Sequence, residues 1–321
     1  MDDSWPPADP LGEALHVVRM DRSFTSSCEF GAPWGLELPA FPDTVMFHVV
    51  TAGRCWVEVP GEAPRFLQPG DLALVPHGQG HRLASAPGLP GPRLFDLPRV
   101  VAGERYEVLR QGMDGGGEVA HLVCGTVRFD HPAARQLVAL LPRLLVVDGA
   151  ASPEGDWIRT TVRFLAAEAA ALRPGGDAVI TRLADVLVIQ AIRDWIDRDP
   201  AARVGWLGAL RDPQLGRAIA LIHRDPARPW SVADLAHEVA MSRSAFAARF
   251  AELVGEPPMR YLARWRMQVA ATCLRERGAA VAEVALGLGY GSEAAFSRAF
   301  KRTVGVPPGA VRREAAGSIR G

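Results

Sequence analysis

The side chains that could do chemistry fall into two groups. In the first half, His48, Cys55, His77, His81 and Cys124 carry nitrogen and sulfur donors. Three or four of them at one point would suit zinc in mixed N/S ligation, and His48, His81 and Cys124 are the set expected to meet. The plain alternative is that His48 and Cys55 fill a core while His77 sits on a surface turn. Cys28 and Cys124 allow a different chemistry, since two close thiols can pass through a sulfenic acid to a disulfide. A free cysteine is otherwise a small buried apolar group, as Cys273 is read here. In the second half the candidates are arginines, serines and one glutamate on helix faces, groups that suit polar contacts to a nucleic acid.

The elements that position this second group are written twice. Ser231 to Pro258 and Val281 to Pro308 are variations on one pattern, with one extra residue at Gly291. Val232 pairs with Val281, Ala236 with Ala285, Phe246 with Phe296, Phe250 with Phe300, Gly255 with Gly305 and Pro257 with Pro307. Each copy predicts a short helix, a tight turn and a second amphipathic helix, the arrangement that places a helix in a DNA groove. Ser231 is the expected N-cap of the first copy, with Asp234 closing a capping box. The phenylalanines lie inward. Arg243, Ser244, Ala247 and Ala248 then face outward in the first copy, and Ser292, Glu293, Ala294, Ser297 and Arg298 in the second. Between the copies, Pro258 to about Arg277 reads as one helix of about 30 Å, close to the ~34 Å of a DNA turn. Arg249, Arg260, Arg264, Arg266, Lys301, Arg302, Arg312 and Arg313 are phosphate contacts or a solvated face.

Charge follows the same division. The formal net charge is zero, but from Arg211 onward 17 Arg and Lys stand against 10 Asp and Glu, and before it 19 stand against 26. A basic segment that coincides with the repeat is the electrostatic footprint of a nucleic-acid binder. The 48% apolar content is that of a globular chain. Val179 to Ile196, the most apolar helical stretch, is broken by Arg182, Asp185, Arg193 and Asp194, which argues against a membrane span. The acidic, polar start M-D-D-S-W-P-P is unlike a signal peptide. Four cysteines without regular spacing suit a reducing cytoplasm.

From Trp34 to about Phe129, short apolar segments punctuated by Gly and Pro predict close-spaced strands in an antiparallel sandwich or barrel. The period then turns helical, with helices expected at Ala133–Leu141, Trp157–Leu172 and Val179–Asp197. Arg203 to Asp212 reads as a linker. The expected fold class is α+β: an N-terminal antiparallel β-barrel over residues 1–132, a helical connector over 133–210 and an all-α domain over 211–321.

Two resemblances sharpen this. G-D-L-A-L-V-P-H-G-Q-G-H, Gly70 to His81, fits the second cupin motif, and M-F-H-V-V-T-A-G-R-C-W-V-E-V-P-G resembles the first around Gly53. The first motif lacks the paired histidines and glutamate of metal-binding cupins, while the second places His81 inward. The run from Gly287 to Arg312 resembles the signature of the AraC/XylS transcription regulators, and Asp212 to Glu314 is similar to their double helix-turn-helix domain, with a leading helix at Gln214–His223. That resemblance implies base reading by Ser244, Ala247 and Ala248 in the first unit, with Arg243 assisting, and by Glu293, Ala294 and Arg298 in the second. It implies double-stranded promoter DNA and RNA polymerase as partners, a small-molecule, metal or redox effector, and a homodimer. The rival reading is a cupin-type metalloenzyme, a dioxygenase or isomerase, carrying a DNA-binding domain.

Overall fold

The computed structural model describes residues 24–128, 132–149, 155–171, 173–276 and 278–318. The opening segment through residue 23 and Arg277, both included in the expected domains, lie outside these residues. The strands are β1 (Phe24–Gly31), β2 (Gly35–Leu38), β3 (Thr44–Ala52), β4 (Cys55–Glu58), β5 (Arg65–Leu67) and β6 (Leu72–Val75). They continue as β7 (His81–Ala84), β8 (Arg99–Val101), β9 (Tyr106–Gln111), β10 (Val119–Arg128) and β11 (Leu145–Val147). The helices are α1 (Pro132–Val138), α2 (Gly155–Ala171), α3 (Gly176–Arg198), α4 (Gly205–Ala209), α5 (Pro213–Arg224) and α6 (Val232–Glu238). After them come α7 (Arg243–Val254), α8 (Pro258–Glu276), α9 (Val281–Gly287), α10 (Glu293–Val304) and α11 (Pro308–Ser318). Two compact units result, one holding the sheets with α2 and α3, the other the helices after Asp199.

The expected single barrel is corrected. The strands form two sheets, one of seven in the order β11-β6-β3-β10-β1-β9-β8 and one of four in the order β2-β7-β4-β5. The pairing is antiparallel except for β1 and β9, which run parallel. Alternation of apolar residues dictates strands but not which edges join, and here the edges do not close. Facing side chains of both sheets, among them Phe30, Trp34, Leu36, Met46, Val57 and Leu83, make the core. The chain passes from β3 in one sheet to β4 in the other through Gly53 at φ +66°, where an added Cβ would stand 2.5 Å from the Val119 carbonyl oxygen. Only glycine suits that turn.

In the helical unit the stretch expected as a linker folds instead. Helix α4 lies within it and buries Trp206 and Leu207. Asp212 caps α5, its carboxylate accepting from the Gln214 and Leu215 amides at 3.0 Å each. The capping box forms as expected, with Ser231 Oγ accepting from the Asp234 amide and Asp234 from the Ser231 amide. Helix α8 serves two cores. Its first half buries Tyr261, Leu262 and Trp265, and His223 stacks on Trp265 at 3.8 Å. Its second half contributes Met267, Ala270 and Leu274 to a cluster with Phe296, Phe300 and Val311. Among the described residues, no helix is long and apolar enough to cross a membrane.

Candidate functional site

The two copies of the repeat share the bonds of the turn and of the second helix, although Ser231 caps the opening helix of the first and Ala280 gives that of the second no side-chain cap. Helices α6 and α7 meet through a turn closed by the Met241 amide on the Ala236 carbonyl at 2.9 Å. Helices α9 and α10 meet through the equivalent bond, from the Tyr290 amide to the Ala285 carbonyl at 3.0 Å. Ser242 and Ser292 each cap the second helix, accepting at 3.2 Å from the Ala245 and Ala295 amides. Phe246, Phe250, Phe296 and Phe300 are fully buried, so each pair locks its helix against α8 or its neighbours. Truncating any of them to alanine would cost about 3–5 kcal/mol.

That burial decides what remains outside. Arg243, Ser244 and Ala248 are exposed in α7, with Ala247 half-buried; Glu293, Ala294 and Arg298 are exposed in α10. The structure thus brings together three candidates on each outward face. The cationic candidates divide. Arg249 pairs with the Asp212 carboxylate. Arg264 pairs with Glu256 at 2.6 Å, and Arg260 lies 3.7 Å from the same carboxylate. Arg266 donates to the Pro226 and Arg228 carbonyls at 2.6 and 2.9 Å, tying α8 to the loop before α6. Lys301 and Arg302 stand exposed at the end of α10. The sequence showed positive charge at all six positions, but not which charges the fold uses internally.

In the sheet unit, register places the other candidates in one row. Glu107 of β9 lies opposite Ser26 of β1, Ser26 opposite Cys124 of β10, and Cys124 opposite His48 of β3. Directly opposed residues share a face, so all four point into the space between the sheets. There they line a cavity of about 420 Å³ together with apolar side chains such as Leu36, Leu38 and Met46. Exposed Phe95, edge-on to Phe41 at 6.0 Å, stands on its rim. Ser26 and Glu107 are buried polar residues that sequence reasoning missed. They satisfy each other by a 3.1 Å bond, and Glu107 also meets Arg99 at 3.5 Å.

His48 and His81 do come together, Nε2 to Nε2 at 2.7 Å. Burial pushes His48 well below the usual histidine range, helped by its neighbour His81, and burial brings His81 down to about 4. Both rings are therefore neutral near pH 7. Cys124 does not complete a metal triad with them. Its thiol hydrogen-bonds Cys28, and that bond, with burial, holds it well above the ordinary thiol range. Among the described residues no three His, Cys, Asp or Glu side chains form a group able to hold a metal ion. The three donors expected for zinc are thus not brought to one point, because the Cys124 thiol is turned to Cys28. His77 faces solvent and bonds the Leu141 carbonyl at 2.9 Å, away from the pair. Cys55 is buried, its thiol pushed up to about 12 by desolvation and by Asp71 and Cys28. The expected thiol pair does form, since Cys28 and Cys124 are neighbours.

Comparison with known proteins addresses both halves. Residues 9–197 match the cupin family pattern and residues 235–314 that of a helix-turn-helix domain. An AraC-like transcription regulator of Streptomyces lividans is 34% identical over 95% of this chain and 98% of its own. The HTH-type transcriptional regulator AlkR of Acinetobacter baylyi is 30% identical over 92% of this chain and 95% of its own. Among solved structures, the DNA-binding domain of AdpA in complex with a target DNA is 29% identical, covering 32% of this chain and 93% of that one with a TM-score of 0.31.

Proposed function

The chain belongs to the AraC-like transcription regulators, with an N-terminal domain of the cupin family, and from that premise we propose that it grips promoter DNA with two unequal reading heads. It is a DNA-binding regulator and not an enzyme. The observation that carries the reading is the twofold repeat of α6–α7 and α9–α10, each with its second helix exposed. Helix α8 has 19 residues, about 28 Å at ~1.5 Å per residue, which suits two heads in successive major grooves on one DNA face. Glu293 and Arg298 read base edges. Ser244, Ala247 and Ala248 offer one hydroxyl and two methyl contacts, with Arg243 beside them, so specificity leans on the second head. Lys301, Arg302 and Arg260 neutralise phosphates, while Arg249, Arg264 and Arg266 chiefly hold the helices in place.

The cupin-type domain, proposed over residues 1–132, is the sensor, and the connector proposed over 133–210 is the dimer interface. The protein works in the cytoplasm as a homodimer that recruits RNA polymerase. One input is thiol oxidation. Cys124 stands opposite Ser26, two residues from Cys28, so the thiols form a diagonal pair. Diagonal backbone positions lie ~7–8 Å apart, beyond the ~6.8 Å limit of a disulfide. Closing the bond would slide β1 along its paired neighbour β10, and that shift is the signal. Hydrogen peroxide supplies the oxidising equivalents, two thiols and one peroxide giving one disulfide and two waters.

The deciding experiment is full-length protein titrated with promoter fragments over a range of salt. Affinity should fall steeply as salt rises, because phosphate contacts release counterions. Binding that ignores salt, or none to any promoter region, overturns the reading.

A further inference from the structure

The hydrogen bonds of the histidine pair have a direction. His81 Nδ1 lies 3.1 Å from the Gln79 carbonyl oxygen, which can only accept, so His81 Nδ1 carries a proton. A neutral imidazole has one proton, hence His81 Nε2 is a lone pair. His48 Nε2, 2.7 Å away, must then be the donor. This leaves His48 Nδ1 as a bare acceptor. Of the buried side-chain nitrogens and oxygens without a partner among the described residues, it is the one carried by a cavity-lining side chain. A buried acceptor with no donor is costly, and none of the described residues supplies one.

The charged groups of the cavity already have partners. Glu107 accepts from Ser26 and faces Arg99, and Arg99 also donates to the Leu94 carbonyl at 3.1 Å. An anionic ligand would meet neutral histidines and a committed arginine. A strongly polar one would lose its hydration against Leu36, Leu38, Met46 and Phe41. What the site lacks is one hydrogen-bond donor on an apolar body.

We propose that the cavity takes an uncharged, largely apolar molecule bearing a hydroxyl group, which donates its proton to His48 Nδ1. This rests on the sheet unit being the sensor and adds the chemical class of its ligand. The cavity, at about 420 Å³, suits a small aromatic or short-chain alcohol.

The test is calorimetry on the full chain at neutral pH with para-propylphenol, its methyl ether and para-propylbenzoate. The phenol should bind, and the ether should bind roughly tenfold or more weakly, because a buried acceptor left unpaired discriminates strongly. The benzoate should do no better than the ether. His48→Phe should abolish the preference for the phenol. Should that variant fail to fold, nitrogen NMR of the wild-type imidazoles gives the same answer. It should show His48 protonated at Nε2, with the Nδ1 signal moving as the phenol is added. Equal binding of phenol and ether, no binding of either, or a proton on His48 Nδ1 overturns the proposal. Promoter binding in the same samples keeps the two readings apart. A phenol that binds selectively yet leaves DNA affinity unchanged supports the ligand class and overturns the sensing role.

Discussion

His48 and His81 join the two sheets through their Nε2 atoms at 2.7 Å, one from β3 and the other from β7. Each comes from a different sheet, so the contact exists only when the sandwich is closed. It makes the sensor unit sensitive to acid, with a definite sign. Both folded-state values lie below the ordinary 6.5, His81 at about 4. Between those two values the unfolded chain binds protons that the folded chain refuses, so stability falls as pH drops through this window. Urea unfolding across that range should show a steeper pH-dependent loss than in His81→Phe, which keeps only the part due to the buried His48. Parallel curves would sink the assignment.

The reading heads should differ in what a mutation costs. Arg298→Ala should lose about 1–3 kcal/mol at one base position and relax specificity there. Lys301→Ala and Arg302→Ala should weaken binding to all sequences and lower the salt slope by about one each. Competition binding against a panel of single-base operator variants separates the two behaviours. A uniform loss from Arg298→Ala would make it a phosphate contact.

Asp212 should matter for folding more than for DNA. It caps α5 and pairs with Arg249 of α7. Asp212→Ala should therefore destabilise the helical unit by about 1–2 kcal/mol through the lost cap. Thermal unfolding measures this, and an unchanged midpoint would contradict it.

The two turns predict opposite responses at equivalent positions. Ala240 holds φ 54° in the first turn, and Gly289 holds φ 76° in the second. Left-handed backbone costs an alanine roughly 1 kcal/mol, so Ala240→Gly should stabilise by up to about that amount. Gly289→Ala should destabilise by more, because its new Cβ would stand 2.6 Å from the Ala227 carbonyl oxygen. Chemical denaturation of both variants gives the comparison.

Mild peroxide should join Cys28 to Cys124, as mass spectrometry of digested protein would reveal, and a reductant should reverse it. The reaction should be slow, since Cys124 is buried and held protonated. Cys28→Ser should leave Cys124 without its partner and abolish the response of DNA binding to peroxide. A response that persists in this variant would remove the thiol pair from the mechanism.

Much of the helical unit was legible in the chain itself. Phe246, Phe250, Phe296 and Phe300 recur at helical spacing, Ser231 and Asp234 announce a cap, and the two copies align with one extra residue at Gly291. These signals are local, because a helix satisfies its backbone within a few residues and shows its buried face in its own periodicity. The linker reading of 203–212 failed for the complementary reason. Trp206 and Leu207 are too few to display a period, and only the fold gives them something to pack against.

The sheet unit divides in the same way. Strand alternation and the glycine turns are local, so the presence of strands and the inward position of His81 could be read from residue order. The partner of each strand is not local. Whether the sheet closes as a barrel, whether Cys124 meets a histidine pair or Cys28, and whether Ser26 finds Glu107 all depend on register between distant segments. Sequence alone determined which residues could bind DNA, meet a ligand or be oxidised. Tertiary structure decided which arginines are spent on Asp212 and Glu256 and which histidine nitrogen is left bare, because pairing across space, not order along the chain, assigns each donor its acceptor.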